Sequence, residues 1–110
     1  MKIKRVYDEP AAADGYRVLV DRLWPRGLTK ERARVDRWLK EVAPSTELRK
    51  WFHETGDFET FADRYRAELA GNPAVAELRA IVAAHPVVTL LYSVRDAVHN
   101  HAEILRETVT

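Results

Sequence analysis

The chain has 110 residues, 46% of them apolar and 32% charged, with a net charge of +1 and no cysteine. That length suits one domain with one core, the mix argues against disorder, and the missing thiols exclude disulfides, thiolate nucleophiles and cysteine–zinc sites. No apolar run approaches the ~18 residues of a membrane span and the opening MKIKRVYDEP holds no signal-like apolar segment, so a cytoplasmic protein without a membrane partner is expected.

Ile3 to Tyr7 reads as a short first strand. The DEPAAADG stretch after it is poor in strand formers and too short for a helical crossover, which predicts an antiparallel first pair with the first strand at an edge. Tyr16 to Arg22 is a second strand, with Val18 and Val20 on one face and Leu19 on the other, hence buried on both sides. Trp24-Pro25-Arg26-Gly27 ends it, because Pro25 cannot donate to a ladder and Gly27 permits a tight turn. Thr29 can cap a short helix through about Arg34. Residues 35–42, VDRWLKEV, fit a strand or a helix, with the strand preferred.

Three helices follow. Ser45 is an N-cap for one running to about His53, and Asp57 caps the next. Phe58, Phe61, Ala62, Tyr65 and Leu69 repeat there at helical spacing, and Gly71 stops it. Asn72-Pro73 opens the third as cap and first-turn proline. Val75, Leu78, Ile81 and Val82 form its apolar stripe, and Pro86 closes it. Val87 to Tyr92, VVTLLY, is a continuous apolar run, the mark of a strand covered on both faces. A last helix is expected over about 97–108, burying Val98, Ile104 and Leu105. The reading is a single α/β domain over 1–110, a small mostly parallel sheet flanked by helices, with an antiparallel edge strand.

In open parallel sheets, ligands gather beyond the carboxyl ends of the strands. Two loops leave such ends: Asp21 to Gly27, and Tyr92-Ser93-Val94-Arg95-Asp96 with His99 and Asn100 behind it. If the two strands run in parallel, these loops converge. Arg22, Arg26 and Arg95 offer planar forks of donors for carboxylate or phosphate, and the start of the last helix adds free N–H groups. Asp21, Asp96 or His99 could move protons. Trp24, Tyr92, Ser93 and Asn100 complete a candidate ligand-binding set.

Each of these residues has a plainer reading. Arg22 and Arg26 can pair with Asp21 and Asp36. Ser93-x-x-Asp96 resembles a helix capping box. Trp24, Trp38 and Trp51 suit packing better than base stacking, and Tyr92 can rest its hydroxyl at the water boundary. His53 and His85 lie at helix ends, where imidazole answers free carbonyls. His99 and His101 would point about 200° apart on a helix, so no metal site is expected, and no cofactor is indicated.

The segments DGYRVLVDRLWPRGLTKE (14–31), WLKEVAPSTELRKWF (38–52), RYRAEL (64–69) and VTLLYSVRDAVHNHA (88–102) together resemble the domain of unknown function 488 family, in its short YeaO-like branch. The match runs nearly the whole chain in the family's order. VDRLWPRG is one signature, and LLYS-x-(Arg or Lys)-Asp followed by HN-x-A is another. The resemblance implies a compact α/β domain and supplies no activity to transfer. Its motif residues fall on Asp21, Arg22, Trp24, Pro25, Arg26, Tyr92, Ser93, Arg95, Asp96, His99 and Asn100. Val94 departs from the smaller alanine common at that place.

Three functions compete at this level. The first is a binder of, or an enzyme acting on, a small phosphate- or nucleotide-like anion. The second is a nucleic-acid-binding or regulatory module. It draws on the basic first half, where residues 1–52 carry 13 Lys/Arg against 8 Asp/Glu while residues 53–110 carry 5 against 9. The net charge of +1 counts against it. The third is a partner-binding domain whose loop charges are internal ties.

Overall fold

The computed structural model describes residues 1–110. Strands β1 (Lys2–Arg5), β2 (Tyr16–Leu19), β3 (Arg37–Trp38) and β4 (Val88–Tyr92) form one sheet in the order β1-β4-β2-β3. All three pairings are parallel, with Ile3 and Val18 on either side of Leu90. β4 occupies the centre because all five of its residues tolerate burial. Its buried Thr89 donates from Oγ1 to the Asp14 carbonyl at 2.7 Å.

β1 does lie at an edge, where its charged sequence discourages further pairing. It is parallel, however, and its neighbour is β4 rather than β2. The expected antiparallel pair assumed that successive strands touch. Here the more apolar β4 takes the place between them, and the connection through a 3₁₀ turn at Ala12–Asp14 passes from one side of β4 to the other. That passage is tight. Gly15 has φ +64°, and a Cβ there would sit 2.3 Å from the Val87 carbonyl oxygen, so only glycine fits.

Helices α1 (Lys30–Ala33), α2 (Thr46–Thr55), α3 (Phe58–Ala70), α4 (Ala74–Ala84) and α5 (His101–Val109) complete the fold. Val18, Val20, Leu90 and Tyr92 meet α2 to α5 in the main core. Leu19 and Leu91 face a smaller cluster with Val6 and Ala33, framed by Trp24 and Trp38. The expected caps are in place: Thr29 accepts from Arg32 N–H, Ser45 from Leu48 N–H and Asp57 from Thr60 N–H. Asn72 accepts from the N–H of Ala74 beside Pro73. No helix is long and apolar enough to cross a membrane.

Several boundaries differ from expectation: β1 ends at Arg5 rather than Tyr7, and β2 at Leu19 rather than Arg22. Residues 35–42 give only the two-residue β3 and a 3₁₀ turn at Lys40–Val42. The last helix starts at His101, not near 97, because Asn100 is its cap, accepting from Glu103 N–H at 3.0 Å. Val98 therefore lies outside the helix and is 67% exposed, while Ile104 and Leu105 are buried as the helical period requires.

The other end of the sheet is fixed by a buried ionic knot. Arg17 is 3% exposed. It donates from Nη1 to Asp14 Oδ2 at 2.5 Å, from Nη2 to the Ala33 carbonyl at 2.8 Å and from Nε to the Arg34 carbonyl at 3.0 Å. Asp14 also accepts from the N–H of Ala11 and from Lys4 Nζ. Burial alone would raise the Asp14 carboxyl, but these donors outweigh it and hold the group below the usual carboxylate range.

Candidate functional site

Because β2 and β4 are parallel neighbours, the two loops that leave them emerge on the same side and border one cleft of about 590 Å³. Its lining includes Asp21, Arg22, Trp24, Arg26, Ser93, Arg95, Asp96, His99 and Asn100. Of the residues singled out in the sequence, Tyr92 alone is off the wall. It is 3% exposed and packs in the main core, and burial pushes its phenol up.

Asp21 joins the loops. Its Oδ2 accepts from Ser93 N–H at 3.0 Å and from Ser93 Oγ at 2.5 Å. Its Oδ1 is buried without a hydrogen bond, 3.3 Å from His101 Nε2, which itself lies 3.0 Å from the Val20 carbonyl. Burial lowers the basicity of His101 and outweighs the opposing pull of Asp21. Ser93 is thus a tie between loops and not the capping residue its spacing suggested. The second loop is tied to β1 as well, since Arg5 donates to the carbonyls of Ser93 and Val94.

The first loop is held by its aromatic neighbours. Trp24 Nε1 donates to the Leu28 carbonyl and Trp38 Nε1 to the Asp21 carbonyl, with the two indoles edge to face at 5.5 Å. Tyr7 Oη donates to the Arg26 carbonyl. Asp96 organises the turn before α5, with Oδ1 accepting from the N–H groups of Val98 and His99 at 2.9 and 2.8 Å. Those two donors keep its carboxyl below the ordinary value. Asn100 closes the turn by donating to the Asp96 carbonyl.

The arginines behave differently. Arg22 reaches only carbonyls, those of Ala43 and Pro44, at 3.3–3.4 Å. It pairs with neither Asp21 nor Asp36; the latter's carboxylate instead accepts the backbone N–H of Arg17. Arg26 and Arg95 enter no ion pair. The wall gains a fourth guanidinium, Arg49 of α2, together with Phe52 and Phe61.

A family model described as the inactive DUF488-N3 subclade matches residues 1–110. The chain belongs to the DUF488 family. It is 48% identical over 108 residues to the uncharacterized protein YeaO of Escherichia coli, an alignment covering 97% of this chain and 94% of that protein. It is 44% identical over 108 residues to the uncharacterized protein Rv3073c of Mycobacterium tuberculosis, covering 97% and 91%. No solved structure matches it.

In this DUF488 chain, the site residues that strand-end reasoning missed are Arg49, Phe52, Phe61 and His101. The first three come from α2 and α3, far in sequence from either loop. Their one sequence signal is weak: Arg49 and Phe52 are three residues apart and so share a helix face. In sequence His101 reads only as half of a non-chelating His-x-His pair, and its neighbour Asp21 comes to it through the fold.

Proposed function

We propose that this protein binds a small anionic ligand, bearing phosphate or carboxylate, in the cleft at the C-terminal ends of β2 and β4, and does so without turning it over. The observation that carries this reading is the imbalance of partners in the cleft. Arg22, Arg26, Arg49 and Arg95 line it without an ion pair, while each of its two carboxylates already has partners: Asp21 accepts from Ser93 and lies 3.3 Å from His101, and Asp96 accepts two backbone N–H groups and lies 3.4 Å from His99. Guanidinium donors left over in a concave site suit an anion with several acceptor oxygens. The cleft volume falls within the range of about 300–1,000 Å³ usual for small-molecule sites.

Turnover has less support. Asp21 holds two loops together, and Asp96 organises its own turn, so both carboxylates already have a structural role. His99 stands at the rim. The description of the matching subclade as inactive agrees with a binding role.

Calorimetric titration with inorganic phosphate tests this. Arg95→Ala and Arg49→Ala should each lose about ten- to a hundredfold in affinity, the worth of a charge-assisted hydrogen bond, with the fold intact. Full affinity in both variants, or no binding by the unmodified chain, would overturn the reading.

A further inference from the structure

We infer that the anion this cleft accepts is carried on a flat aromatic ring, so that aryl phosphates and aryl carboxylates are its ligand class. The inference rests on the anion-binding reading above and concerns the other half of the same cleft. Helix α2 brings both Arg49 and Phe52 to the wall. Three residues apart on one helix face, their Cβ atoms are separated by about 5–6 Å, which suits a charge attached directly to a ring.

The ring side is assembled in advance. Phe52 stacks on Phe61 with centroids 4.5 Å apart and planes 27° from parallel. Phe58 closes on both at 5.8 and 5.9 Å, and the rim residue His99 lies 4.9 Å from Phe58. Phe61 is 3% exposed, so packing holds the stack in place, whereas Phe52 is only half-buried. A half-buried phenyl ring on the wall of a guanidinium-lined cleft, packed against a buried one, offers a stacking partner at little ordering cost. An aliphatic phosphate would meet the same charges but make poorer use of that surface.

The test compares inorganic phosphate, propyl phosphate and phenyl phosphate by calorimetry on the full chain, at one pH and one ionic strength. Phenyl phosphate should bind about tenfold tighter than propyl phosphate, the scale of one aromatic pair. Phe52→Leu, which keeps apolar bulk but removes the ring, should erase that preference. Equal binding of the phenyl and propyl esters, with inorganic phosphate still bound, would overturn the aromatic inference and spare the anion site. A phenyl preference that survives in Phe52→Leu would overturn it too. If none of the three binds, the anion site fails and the inference fails with it. Should Phe52→Leu not fold, the comparison of esters on the unmodified chain decides alone.

Discussion

At the amino ends of the strands Arg17 gives each of its three guanidinium nitrogens to an acceptor, and Asp14 beside it is met by Arg17, Lys4 and a backbone N–H. At the carboxyl ends, Arg26, Arg49 and Arg95 line a cleft and enter no ion pair, while the nearby aspartates each turn one oxygen to the loops. The ingredients are the same, arginine and aspartate beside a parallel sheet. What differs is whether the donors are used up. A buried guanidinium with its donors answered has nothing left for a ligand, and removing it strands its partners. A cluster of guanidiniums left open at a concave surface repels itself, and an incoming anion relieves that repulsion.

The largest effect that could break this contrast is at the closed end. Arg17→Ala leaves the Asp14 carboxylate buried with one partner fewer, which costs about 3–5 kcal/mol for a pair of this kind. At roughly 4 °C or more per kcal/mol in a domain of this size, thermal denaturation should show a melting point lower by more than about ten degrees. A drop of only a degree or two would mean that the knot contributes little. Asp21→Ala should come next. It leaves the partly buried Ser93 N–H and hydroxyl without their acceptor, at about 1–3 kcal/mol, and it should weaken phosphate binding as well, because the two loops are no longer tied. Loss of stability with unchanged binding would separate the tie from the site.

The parallel sheet and the convergence of the two loops were legible in the chain, because Val18, Val20 and the VTLLY run of β4 state their burial directly and the motif residues follow them. The place of β1 was not legible. Nothing in KIKR says which neighbour it takes, and β4 sits between β1 and β2 only because its apolar run belongs at the centre. The cap of the last helix differs from expectation for a local reason: Ser93 and Asp96 have capping spacing, yet the Ser93 side chain is claimed by Asp21 from the loop after β2. Arg49 and Phe52 carry no such signal, since helix packing, not sequence proximity, delivers them to the cleft.

A smaller effect distinguishes the ends by pH. His101, its side chain 12% exposed, lies beside Asp21, the Val20 carbonyl, Arg49 and the Tyr65 ring. Burial, aided by Arg49, lowers its basicity more than Asp21 and the carbonyl raise it. The unfolded chain therefore takes up a proton below about pH 6.5 that the folded chain refuses, and stability should fall between pH 7 and pH 5 by at most about 1.4 kcal/mol per unit. Asp14 has the opposite chemistry but the same direction in a lower window. Its depressed carboxyl contributes above about pH 4, and that contribution is lost as pH falls further. Denaturant titrations at pH 7, 6 and 5 should show a shallower slope in His101→Gln than in the unmodified chain. An equal slope in both would acquit His101.

The smallest expected effect sharpens the contrast most. Arg26→Ala and Arg95→Ala remove exposed guanidiniums that hold no side-chain partner, so each should change stability by no more than about 0.5 kcal/mol. Any shift should be upward, because a like charge leaves the cluster. Phosphate should raise the melting point of the unmodified chain in proportion to the logarithm of its concentration once above Kd, and should raise that of Arg95→Ala less at the same concentration. A loss of more than about 1 kcal/mol in either variant without ligand would place these arginines in the same class as Arg17. The carboxyl end of the sheet would then be a second structural knot rather than an open anion site.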